Sequence, residues 1–136
     1  MRPAKGIAAM TPNPMTALCA LRDALSVVAD VATCKIGMES NMTPADYPMV
    51  RIVPSLTRYA NVISQRQTEV LIYFGKPIHE FETGLEFIYH DLYNMECEII
   101  DAADTSDVYC SYLETIADED RVDGYKLMAI RMMVHG

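Results

Sequence analysis

Four residues in this chain are spaced as metal ligands on a helix would be: His79, Glu82, Glu86 and His90, separated by three, four and four positions. Such spacing gathers side chains on one face of an α-helix, where imidazoles and carboxylates can hold a divalent metal. However, His79-Glu80 is not followed by the second histidine of H-E-x-x-H, and no other helix offers matching ligands. The set therefore reads as a solvated acidic face with two incidental histidines. No metal and no cofactor are expected, and a small metal-dependent enzyme is the weaker alternative.

Nucleophilic chemistry fares no better. Cys19, Cys34, Cys97 and Cys110 are widely separated and form no C-x-x-C pair, so zinc and redox sites lack their usual local spacing. Reduced, buried thiols are expected. No base lies beside Cys97 or Cys110 in sequence. The phosphate-binding G-x-G-x-x-G and G-x-x-x-x-G-K-[ST] patterns are absent, as is the hydrolase G-x-S-x-G. With acids this abundant, a chance pair of carboxylates carries little meaning, and the chain is read as a non-enzyme.

Two clusters suit contact rather than catalysis. Arg51 in a strand, with Arg58, Tyr59 and Arg66 in the connection after it, form a basic and aromatic group. It reads either as an ordinary charged loop or as a docking loop for an acidic surface, such as the acidic half of another copy. Asp118, Glu119, Asp120 and Asp123 form an acidic hairpin tip, read either as a solvated turn or as a group facing a channel.

These clusters belong to a wider imbalance of charge. Residues 1–76 hold 8 basic and 5 acidic groups, a net of +3, while residues 77–136 hold 3 and 14, a net of −11. Between Lys76 and Arg121 there is no lysine or arginine among 13 acids. A phosphate-binding surface needs clustered cations, so specific nucleic-acid binding by this half is excluded. An acidic partner of basic surfaces, or a wall that repels DNA, is compatible.

The elements that position these groups follow from periodicity. With 136 residues and 51% hydrophobic content, the chain suits one domain at residues 14–136, after a flexible arm at 1–13. Pro12, Asn13 and Pro14 break what would be the apolar part of a leader, and no run approaches the roughly 20 residues that span a bilayer. A cytoplasmic site of synthesis and no membrane contact are expected. Leu18, Leu21, Leu25 and Val28 predict a helix at about 14–30, started by Asn13-Pro14.

A short strand is expected at 33–36, a loop at 37–46, and a β-branched strand at 47–54 ended by Pro54. Residues 55–65 read as a polar connection. Val70, Ile72 and Phe74 alternate with Glu69, Leu71 and Tyr73, which predicts a strand at 68–74. Phe81, Leu85, Ile88, Leu92, Met95 and Ile99 step by four and three, predicting a long helix at 79–102. Strands at 108–116 and 125–134 flank a charged turn. The class is α+β: a mainly antiparallel mixed sheet of four to five strands, with two helices packed on one face.

In this order the chain resembles the tail terminator (tail completion) proteins of long-tailed, lambda-type bacteriophages. The resemblance spans about residues 14–134. It rests on the Leu-rich first helix, Asp46-Tyr47-Pro48 leading into Val50-Arg51-Ile52-Val53, a polar loop, the strand Glu69-Val70-Leu71-Ile72-Tyr73-Phe74, a long helix and a closing hairpin. It implies a structural virion protein in the tail neck, assembled in the bacterial cytoplasm as a hexameric ring. Such a ring caps the tail tube, ends its polymerisation and meets the head-completion or connector protein, while DNA passes through it. No catalytic residue transfers from such a family. The alternatives are another phage neck, tail or adaptor protein, or an acidic DNA mimic.

Overall fold

The computed structural model describes residues 11–28, 31–38, 43–59, 65–77, 85–117 and 125–136. Helix α1 spans Met15–Leu25, followed by strand β1 at Thr33–Ile36, a 3-10 turn at Pro44–Asp46 and strands β2 at Met49–Tyr59 and β3 at Arg66–Pro77. Helix α2 then spans Leu85–Thr105, and β4 (Cys110–Ile116) and β5 (Tyr125–His135) complete the order. The sheet runs β1-β2-β3-β5-β4, with β1 parallel to β2 and every other pairing antiparallel. The fold is α+β, as the alternating strands and stepped helices require.

Local chemistry explains the helix entries and ends. The Asn13 side chain accepts the Met15 N–H at 2.9 Å, and the Pro14 carbonyl accepts the Leu18 N–H at 3.0 Å. Asn13 therefore covers a donor at the helix start while Pro14 occupies the cap position. The helix closes at Leu25, short of residue 30, where Ser26 Oγ donates back to the Asp23 carbonyl at 2.7 Å. A hydroxyl bonded to the backbone in this way competes with the helical ladder. The start expected for α2 at residues 79–84 lies outside the described residues.

One face of the sheet carries the main core. Val50, Ile52, Val70, Ile72, Phe74, Met128, Ile130, Met132 and Val134 meet Leu18, Leu21 and Leu25 of α1 and Ile88, Leu92, Met95 and Ile99 of α2. Each such side chain taken from water contributes about 1.5–3 kcal/mol before ordering costs, enough to fix which strand face turns inward.

The opposite face carries a second, smaller core. Tyr47, Met49 and Leu127 are buried there, with Tyr73 packed against them. Gly75 makes this possible, because a Cβ at that position would strike the Leu127 side chain and lie 2.8 Å from the Lys126 carbonyl oxygen.

Pro54 does not end β2. The pairing of β2 with β3 shifts register between Pro54 and Leu56, and the strand continues to Tyr59. A bulge absorbs one residue, so a proline without an N–H is tolerated and the strand resumes. Residues 55–59, read as the start of a polar connection, therefore belong to β2 and pair with β3.

Candidate interaction surfaces

The extended hairpin reassigns the basic cluster. Arg58 and Tyr59 stand on the last residues of β2, and Arg66 opens β3 opposite Tyr59. Directly opposed residues share a face, and the Arg66 guanidinium accordingly lies 5.7 Å from the Tyr59 ring centroid, a cation–π distance. Arg66 Nη1 also donates to the Pro12 carbonyl at 3.2 Å, and the Tyr59 hydroxyl and Thr11 Oγ1 are 3.4 Å apart. Thr11 and Pro12, within the segment read as a flexible arm, thus bond to this hairpin. Tyr59 remains 54% exposed, Arg58 is exposed and Arg66 is half-buried.

Arg51 does not join them. It is fully buried in β2, where Nη1 donates to Thr33 Oγ1 at 2.8 Å, to the Val50 carbonyl at 3.0 Å and to the Thr33 carbonyl at 3.2 Å. These bonds clamp β1 to β2 at their parallel pairing, so Arg51 acts as a strut and offers no docking surface. Sequence proximity could not separate it from Arg58, since both are arginines on one strand.

The residues Asp46-Tyr47-Pro48 form a turn into β2. The Asp46 carboxylate accepts the Thr43 N–H at 2.7 Å, while its carbonyl accepts Thr33 Oγ1 at 2.7 Å. The Thr43 backbone bond is the main cause holding the Asp46 carboxyl below its ordinary pKa. Tyr47 is buried, and its bond to Pro48 is cis.

Helix α2 presents the opposite chemistry. Glu86, Asp91, Glu98, Asp101 and Asp104 are exposed along it, and the helix contains no lysine or arginine. Phe87 and Tyr93 stand among them at 62% and 45% exposure. None of the five acids has an ion-pair partner among the described residues. The ion pairs there are Arg22 with Asp23, and Arg131 with both Glu69 and Glu114 at 3.1 and 2.9 Å.

Of the four spaced as metal ligands, Glu86 and His90 are exposed on α2, and His90 Nδ1 lies 3.3 Å from Asn94 Nδ2. His79 and Glu82 lie outside the described residues, as do Asp118, Glu119, Asp120 and Asp123. Among the described residues no group of three His, Cys, Asp or Glu is placed to hold a metal.

The thiols are free, but not all are buried. Cys97 is exposed on α2, which overturns that part of the reading, whereas Cys19, Cys34 and Cys110 are half-buried. Cys97 lies between the buried Met95-Glu96 pair and the solvent-facing Glu98, on the outward side of the helical turn. Burial pushes the Cys34 thiol up to about 11, against the opposing pull of Arg51 and Arg22.

A cleft of about 490 Å³ opens beside the start of α1, lined by Asn13, Thr16, Ala17, Asp107, Tyr109 and His135 among others. The Tyr109 and His135 rings lie 4.7 Å apart. The cleft was not visible in the sequence, because its walls come from three distant segments.

Among the described residues no helix is long and apolar enough to cross a membrane. No protein-family model matches the chain, and no curated protein matches it.

Proposed function

We propose that this protein is a structural subunit of the tail-terminator kind, closing as a hexameric ring on the tail tube of a long-tailed phage and meeting the head connector. One observation carries the reading: a basic, aromatic hairpin end and an acidic helix face lie on different elements of one subunit. A ring needs two unlike, complementary patches on each copy, because its contacts are head-to-tail. The resemblance in element order and in Asp46-Tyr47-Pro48 before β2 supports the same reading.

DNA transit sets a second condition. A conduit should not hold the polyanion it passes, and an acidic surface repels it over roughly a Debye length of 8 Å at physiological salt. The net charge of −8 agrees with that condition. No chemistry is assigned to the subunit in this role.

Electron microscopy of particles assembled without this protein tests the role. Tails of uncontrolled length, or tails unable to join heads, are the expected outcome. Normal virions would end the proposal.

A further inference from the structure

We infer that the hairpin end bearing Arg58, Tyr59 and Arg66 seats on the outward face of α2 in a second copy of this chain. This interface rests on the ring reading and names the contact that the ring would use.

Arg22 and Arg131 are held by acids of their own chain, and Arg51 and Lys126 are buried. Arg58 is exposed and has no acid beside it among the described residues. Next to it, Tyr59 is braced by Arg66 on its face and by Thr11 at its hydroxyl, yet stays more than half exposed. An aromatic ring fixed in place with an arginine across its face loses little freedom on binding and can bury a large area, the pattern of an interface anchor.

A fitting partner must supply carboxylates and apolar surface together. The α2 face does so: Glu98 and Asp101 lie outward with Asp91 and Glu86, and Phe87 stands exposed among them. Such a ring and the Tyr59 ring can pack while Arg66 on that face of the hairpin, and Arg58 on its other face, each reach a carboxylate along α2.

The two surfaces cannot meet within one subunit. Helix α2 packs over β3, β5 and β4, whereas the hairpin end is formed by β2 and the opening residue of β3. Between copies the contact is heterologous, so each subunit uses its hairpin on one neighbour and its helix on the other. Nucleic acid is a poor alternative occupant of the hairpin, since the net charge of −8 opposes its approach.

Native Cys97, exposed on α2, provides the test. A Gln65→Cys variant places a second thiol beside Arg66 on the hairpin, and a short bismaleimide should join copies into a covalent ladder. Adding Cys97→Ser should abolish that ladder. By light scattering, the wild-type mass should rise with concentration and fall with salt. Arg58→Glu and Glu98→Arg should each weaken association roughly tenfold, as loss of a close interfacial charge pair does, and their combination should recover most of it.

A strictly monomeric mass at every concentration, or a ladder indifferent to Cys97→Ser, would overturn the interface. Defective tails without this cross-link would remove the interface and keep the tail role. The cross-link with normal virions would keep the interface and remove the tail role.

Discussion

Thr115 Oγ1 on β4 donates a hydrogen bond to Glu96 Oε2 on α2, and the Tyr112 hydroxyl lies 2.8 Å from that same threonine oxygen. Glu96 is only 9% exposed, an uncommon place for a carboxylate. The bond ties the outer edge strand of the sheet to the helix carrying the acidic face.

Removing this tie should loosen β4. Glu96→Ala leaves Thr115 without its carboxylate and should cost about 1–3 kcal/mol. Glu96→Gln keeps an acceptor and should cost less. Because the two side chains act on one bond, Glu96→Ala and Thr115→Val should be non-additive in thermal unfolding. Strict additivity would show that the contact contributes nothing.

Gly75 is expected to resist even alanine. The added Cβ would meet the Lys126 carbonyl, which the sheet holds in place, as well as the movable Leu127 side chain. Gly75→Ala should therefore destabilise by about 1–3 kcal/mol, as overpacking does. Leu127→Ala should relieve only part of it, since the backbone contact remains. Full rescue in denaturant titrations would contradict this account.

Arg51→Met should be costly despite its similar length. The substitution strips donors from Thr33 Oγ1 and from the carbonyls of Thr33 and Val50. A loss of about 2–4 kcal/mol is expected, with faster amide exchange in β1 than in β5, because β1 is an edge strand that, among the described residues, pairs with β2 alone. Unchanged exchange in β1 would exclude the strut role.

The thiols should separate by reactivity. At pH 8 Cys97 should be labelled by a maleimide well before Cys34, whose pKa of about 11 keeps it protonated. The raised pKa means that the native state holds this proton more tightly than the unfolded chain. Its contribution to stability is therefore complete below pH 9 and lost as the pH rises toward 11. Mass spectrometry of partially labelled protein, with unfolding midpoints at pH 8 and 10, checks both.

Periodicity alone was enough to place α2, β3 and β5, because burial against one core selects residues every three to four positions in a helix and every second in a strand. It also exposed the acidic face of α2, since a helix without lysine or arginine cannot neutralise itself. The grouping of Arg58, Tyr59 and Arg66 was legible too, as the three are close in sequence, although the fold puts them on strands and not in a loop.

What needed the tertiary structure was everything set by partners far along the chain. The insertion of β5 between β3 and β4, the bulge that carries β2 past Pro54, and the burial of Arg51 against Thr33 are of this kind. Each depends on which strand supplies the neighbouring hydrogen bonds and which side chains cover the second face. Those neighbours are chosen by the free energy of the whole packed sheet, and local spacing carries no record of that choice.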